Sequence, residues 1–217
     1  RTSKWHPKME PFIFGSRKSI HIIDLRKTQK MLVSALEYLK KEAKEGKSIL
    51  LVGTKMQVKN LLKKTAMEIN MPYVSERWLG GFLTNFAVIR NLVKKFKDLV
   101  EKRSTGKLDK YTKKEQLDFD REIAKLETHV GGLVSLTKTP DVIFIWDIKK
   151  EKPAFVEAVK KKIPVVAVCD TNVNPAGVKY IIPANDDATK GIKLVMELIK
   201  EAILEGKAEG ANKENKL

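Results

Sequence analysis

The chain has 217 residues and is 42% hydrophobic, enough to bury a substantial core and too much for a disordered chain. Lys and Arg total 43 against 27 Asp and Glu, a formal charge of +16 that a polyanion such as nucleic acid, or an anionic membrane surface, would compensate. A single cysteine, Cys169, excludes an internal disulfide framework and fits a reducing cytosol, and no run of about 18 apolar residues is present to span a bilayer.

The chain opens on a basic stretch, Arg1-Thr2-Ser3-Lys4-Trp5-His6-Pro7-Lys8, with none of the apolar core of a signal peptide. It lacks an initiator methionine, so residues are expected upstream. Phe12-Ile13-Phe14 and Ile20-His21-Ile22-Ile23 read as short strands, and Gly15-Ser16-Arg17-Lys18-Ser19 as the turn of a hairpin. Asp24 precedes an amphipathic helix over about 25–45, with Met31, Leu32, Ala35, Leu36 and Leu39 at helical spacing.

A strand–helix alternation follows. Ile49-Leu50-Leu51-Val52 and Pro72-Tyr73-Val74 are strands around a helix over about 56–69. Val142-Ile143-Phe144-Ile145-Trp146, Pro164-Val165-Val166-Ala167-Val168-Cys169 and Tyr180-Ile181-Ile182 are further strands, with helices over about 154–161 and 188–204. Continuous apolar strands between amphipathic helices predict an α/β fold, a flavodoxin-like or Rossmann-like parallel sheet covered on both faces.

The middle departs from this pattern. Ile89, Leu92, Phe96 and Leu99, then Phe119, Ile123, Leu126, Val130 and Leu133, step by three and four without a strand between them. Thr112-Lys113-Lys114-Glu115 reads as a capping box opening the second helix. The expected organisation is an α/β domain of 1–87 and 131–204, an antiparallel coiled-coil hairpin of 88–130 inserted in it, and a polar, disordered tail of 205–217.

Enzyme chemistry finds little support. Gly53-Thr54-Lys55 follows a strand, but it lacks the other glycines of a dinucleotide or phosphate loop. Asp147, Asp170 and Asn185-Asp186-Asp187 end strands, where such residues more often cap helices and fix turns than bind a metal. His6, His21 and His129 stand on separate elements and make no metal set with Cys169. No cofactor is expected.

Nucleic-acid chemistry is better represented. Arg1, Lys4, Trp5 and Lys8, with Arg17 and Lys18, interleave cations and an aromatic. A second cluster is the run Arg77-Trp78-Leu79-Gly80-Gly81-Phe82-Leu83-Thr84-Asn85-Phe86, followed by Arg90 and Lys94. Thr84 and Asn85 suit phosphate and 2′-hydroxyl contacts, whereas Trp78 is expected to pack.

Several of these blocks resemble one family at matched spacing. They include Arg1-Thr2-Ser3-Lys4-Trp5-His6-Pro7-Lys8-Met9, Pro11-Phe12-Ile13-Phe14, Met71-Pro72-Tyr73-Val74 through Phe86, Asp170-Thr171-Asn172, and Ile181-Ile182-Pro183-Ala184-Asn185-Asp186-Asp187-Ala188. The chain resembles, from residue 1 to about 204, the family of the bacterial-type second protein of the small ribosomal subunit. The resemblance implies a parallel sheet with a protruding coiled-coil arm, and a structural role in the cytoplasmic ribosome. The implied partners are small-subunit rRNA, neighbouring small-subunit proteins and, in some lineages, the large multi-domain mRNA-binding protein. No membrane, no small-molecule substrate and no catalytic residue are implied. The alternative is a phosphosugar- or nucleotide-binding α/β enzyme using Gly53-Thr54-Lys55 and Asp170.

Overall fold

A computed structural model describes residues 4–214. A 3-10 turn over Pro7–Phe12 leads into the hairpin of β1 (Ile13–Arg17) and β2 (Ile20–Ile23). Arg17 pairs with Ile20, so the turn is only Lys18-Ser19, tighter than the five residues expected. Both take positive φ, 49° and 59°, the geometry that follows the twist of a two-residue hairpin. Asp24 then caps α1 (Leu25–Lys44), its Oδ1 accepting from Arg26 N–H at 3.0 Å.

The sheet domain alternates β3 (Ile49–Val52), α2 (Lys59–Glu68) and β4 (Tyr73–Val74), and resumes with β5 (Val142–Trp146), α5 (Lys152–Lys160), β6 (Val165–Cys169) and β7 (Tyr180–Pro183). All five strands are parallel, in the order β4-β3-β5-β6-β7. Counted from β3, this is the 2-1-3-4-5 order of the flavodoxin-like fold. Residues of β3, β5 and β6 are buried throughout, because helices cover both faces. One core cluster joins α1, α2 and the last helix, α6 (Thr189–Glu214), to the sheet; the other joins α5, Met9 and the loop after β4.

Between β4 and β5 the chain forms α3 (Phe86–Ser104) and α4 (Lys113–Val130), which pack on each other. Ion pairs Lys95–Glu122 and Arg103–Asp120, the latter 3.0 Å, cross between them. Thr112 and Glu115 form the reciprocal capping box that the sequence predicts. Gly132 brings the returning chain against β4. A Cβ there would lie 2.3 Å from the Tyr73 carbonyl oxygen, so only glycine fits.

The tail requires a correction. Of the tail expected to be disordered over 205–217, residues 205–214 continue α6 (Thr189–Glu214), and 215–217 lie outside the described residues. Small residues there permit close packing rather than disorder. Cβ atoms on Gly206 and Gly210 would sit 2.2 Å and 2.6 Å from the carbonyl oxygens of Lys40 and Lys44, so α6 lies directly on the backbone of α1. Lys40 bridges Glu205 and Glu209, each at 2.8 Å, and Lys207 Nζ donates to the Ile69 carbonyl at the end of α2 at 2.6 Å. Gly206→Ala therefore trades better helix propensity for a steric clash with backbone, and a net loss of about 1–2 kcal/mol is expected in urea unfolding. A stability equal to the parent would mean that the two helices do not touch there.

Candidate nucleic-acid interface

The loop between β4 and α3 is built around one carboxylate. Glu157, on α5, reaches across to it with both oxygens. Oε1 accepts from Trp78 Nε1 at 3.1 Å and from Gly81 N–H at 2.8 Å. Oε2 accepts from Leu83 N–H at 2.9 Å, Thr84 N–H at 3.2 Å and Thr84 Oγ1 at 3.2 Å. Gly81 has φ +85°, a left-handed turn that folds these amides into one concavity. Burial pushes the Glu157 carboxyl up, but the converging donors outweigh it and hold the group below the usual glutamate range. The concavity is an anion cradle, and the protein fills it with its own anion.

The same happens at the sheet's switch point, between the carboxyl ends of β3 and β5, where flavodoxin-like proteins hold ligands. Thr54 N–H and Oγ1 both donate to Glu151 Oε1, at 2.8 Å and 2.6 Å. Lys55 Nζ lies 3.0 Å from Asp147, 2.6 Å from Asp186 and 3.0 Å from Asp187. Burial lowers the lysine's proton affinity, yet its three carboxylate partners hold it above the usual range. An incoming phosphate would have to displace Glu151 and compete with three aspartates for Lys55. The nucleotide- or phosphosugar-binding reading of Gly53-Thr54-Lys55 is therefore unsupported. Burial, with the nearby charges of Asp147 and Asp186, pushes the Cys169 thiol up, away from the thiolate that a nucleophile requires.

The free charge lies outside. Lys4 and Lys8 are exposed on the opening segment, which is tied to the sheet edge by His6 N–H donating to the Thr171 carbonyl at 2.8 Å. Trp5 stays 36% exposed, its ring tilted against His21 with centroids 5.8 Å apart. Arg17 and Lys18 are exposed at the hairpin tip. On the other flank, Arg77 is exposed before the Glu157 loop, and Arg90 and Lys94 are exposed on α3. Asn85 occupies the N-cap position of α3 and makes no capping bond, leaving its exposed amide free. Trp78 packs in the core, as expected, while Thr84 is turned inward onto Glu157. Arg1 lies outside the described residues.

Glu157 and Glu151 carry the local architecture, and neither stands out in the sequence. Their partners lie 73–79 and 97 residues away, with no local pattern to announce them.

Fold and surface together define a basic flavodoxin-like α/β protein whose ligand edge is filled from within. The profile of the ribosomal protein S2 family matches residues 1–206. The chain is 47% identical over 215 residues to the small ribosomal subunit protein uS2 of Helicobacter hepaticus, covering 99% of this chain and 81% of that protein. It is 46% identical over 207 residues to the protein of the same name from Coprothermobacter proteolyticus, covering 95% and 77%. The chain belongs to the ribosomal protein S2 family.

Proposed function

We propose that this chain is a non-catalytic structural component of the small ribosomal subunit in the cytoplasm, holding small-subunit rRNA through two basic flanks. One flank comprises Arg1, Lys4, Trp5, Lys8, Arg17 and Lys18. The other comprises Arg77, Asn85, Arg90 and Lys94, with Thr84 setting the loop between them. One observation carries this reading. Among the described residues, Lys4, Lys8, Arg17, Lys18, Arg77, Arg90 and Lys94 are exposed and form no ion pair, while lysines such as Lys40, Lys55 and Lys59 are paired. Unpaired cations on a protein of this net charge are suited to phosphates.

Residues 88–130 serve as a coiled-coil arm between the two parts of the sheet domain. Neighbouring small-subunit proteins, the large multi-domain mRNA-binding one among them, are the fitting partners for apolar surface. Phe14 and Ile20 of the hairpin are exposed, as are Leu25 and Leu194 beside a 540 Å³ cavity lined largely by apolar residues.

Filter binding of the full chain to small-subunit rRNA across a salt series tests the reading. Affinity should fall steeply with salt. The pair Arg17→Gln/Lys18→Gln, and separately Arg90→Gln/Lys94→Gln, should each reduce the log–log slope by about 1.5, at roughly 0.7–0.9 per phosphate contact. A salt-independent affinity, no better than that of an acidic protein of equal size, would refute it.

A further inference from the structure

Along its shaft the coiled-coil arm uses its charges in ion pairs. Lys95–Glu122 and Arg103–Asp120 cross between the helices, and Lys102–Asp98 and Arg121–Asp118 lie within them. Past Arg103 the pattern stops. The tip places Lys107, Lys110, Lys113 and Lys114 close together, with Asp109 the one acid among them. All four lysines are exposed, and none forms an ion pair among the described residues. The carboxylate of Glu115 is turned onto Thr112, whose N–H and Oγ1 donate to it at 2.9 Å and 2.8 Å. Lys113 and Lys114 stand in the first turn of α4, where a cation opposes the helix dipole. Their charge therefore costs the fold a little stability and serves no contact within it.

The tip is nonetheless well held. Gly106, at φ +69°, ends α3, and Lys107 N–H donates back to the Lys102 carbonyl at 3.0 Å. Gln116 Nε2 donates to the carbonyls of Tyr111 and Asp109, at 2.9 Å and 3.3 Å. Tyr111 packs edge-on against Phe119, with centroids 5.2 Å apart, and Lys110 Nζ lies 5.4 Å from the Tyr111 ring centroid. Cations carried on an ordered loop lose little freedom when a partner binds. The arm also sets them apart. α3 has 19 residues, so at 1.5 Å per residue its end stands about 28 Å from Asn85 and about 15 Å beyond Lys94. Both separations exceed the screening length of about 8 Å in physiological salt, so the tip meets its partner independently of the second flank.

Clustered ammonium groups take a polyanion, and the tip's composition chooses between the two kinds. An acidic protein segment needs an apolar centre to its interface. Leu108 is the one aliphatic side chain from 105 to 114, and it is buried. A phosphate backbone needs only the cations. We propose that the tip of the arm is a separate anchor for small-subunit rRNA, in which Lys107, Lys110, Lys113 and Lys114 hold phosphates of a segment other than those on the two flanks. The inference rests on the rRNA-binding reading and adds a remote third contact to it. Two contacts joined by a stiff arm bind more tightly than either alone, because the second engages at high effective concentration.

The test uses the full chain with transcribed small-subunit rRNA. Lys107→Gln/Lys110→Gln and Lys113→Gln/Lys114→Gln should each weaken binding and lower the log–log salt slope by about 1.5, at roughly 0.7–0.9 per phosphate contact. The second pair should do so with a thermal midpoint equal to or above the parent's, because it relieves the α4 dipole. An iron chelate tethered at Ser104→Cys, beside the tip, should cleave the rRNA at positions distinct from those cut from Ser16→Cys in the hairpin. Ser104 and Ser16 are exposed, and Cys169 is buried away from the label. Parental affinity and slope in both pairs, with no cleavage from Ser104→Cys, overturns the anchor and leaves the proposed function intact. Cleavage at the same positions from both tethers overturns the separate segment. Loss of binding to a small-subunit protein in the tip variants, with rRNA affinity and slope kept, gives the tip to an acidic protein and overturns the anchor as well. Failure of the parent to bind rRNA overturns the proposed function itself.

Discussion

Lys55→Ala is expected to lower the unfolding free energy by about 3–5 kcal/mol, the range for stripping one partner from a buried ionic group. Asp147 and Asp186 are 5% and 4% exposed, and Lys55 is the cation between them. Asp187 is largely exposed and adds little. Burial pushes the Asp186 carboxyl up to about 6, with the neighbouring Asp147 charge adding to the effect, while Lys55 and amide donors hold Asp147 below its usual range. The sign follows from these directions. Asp186 is raised above its ordinary value of 3.8, so its contribution is complete below that pH and is lost as pH rises through about 6. Without Lys55 nothing opposes the repulsion of the ionised pair. The deficit of the variant should therefore be larger at pH 8 than at pH 5, measured by urea unfolding at both. A deficit below about 1 kcal/mol, or one larger at pH 5, would show that the cluster is solvated and not a closed site.

That cluster also marks what sequence can and cannot carry. The strands were legible because a sheet buried on both faces needs unbroken apolar runs, and Val142–Trp146 and Val165–Cys169 are such runs. The Thr112 capping box and the Asp24 cap were legible because both are local, with donor and acceptor two or three residues apart. Aspartates at strand ends suit turns and caps, and Asp147 does hold the amides of Lys149 and Lys150. Their second role, around Lys55, depends on strand order and so is invisible locally. The end of α6 is illegible locally for a different reason. Gly206 and Gly210 have the composition of a flexible tail, but their smallness is what lets two helix backbones meet. Composition reports conformational freedom and close packing with the same residues, and only the position of Lys40 and Lys44 separates the two. At the interface, the exposed cations were legible as charge, whereas Thr84 was not legible as internally bonded, because its acceptor lies on α5.

Glu157→Ala is expected to cost about 2–3 kcal/mol and to weaken rRNA binding as well. The substitution leaves five donor contacts from Trp78, Gly81, Leu83 and Thr84 without their acceptor. Buried donors left unpaired cost roughly 1–3 kcal/mol each, but this loop is partly open and water recovers much of that. Glu157→Gln keeps the size but loses the charge, and its amide nitrogen faces donors where an acceptor is required, so it should be nearly as damaging. The carboxyl is held below the ordinary glutamate value of 4.5, so the stability it supplies is present above that pH and is lost as pH falls below it towards the folded-state value. Both variants should accordingly show a flatter acid limb in unfolding than the parent. The functional consequence follows from placement. Arg77 precedes the cradle and Asn85 follows it, so a loop that loses its central anion no longer holds the two at a fixed separation. Binding to small-subunit rRNA should then fall about tenfold at temperatures where the variant is fully folded, with a salt slope reduced by about one phosphate contact, roughly 0.7–0.9. A destabilised Glu157→Ala that bound rRNA with parental affinity and slope would place Arg77 and Asn85 away from the RNA, and the second basic flank would begin at Arg90.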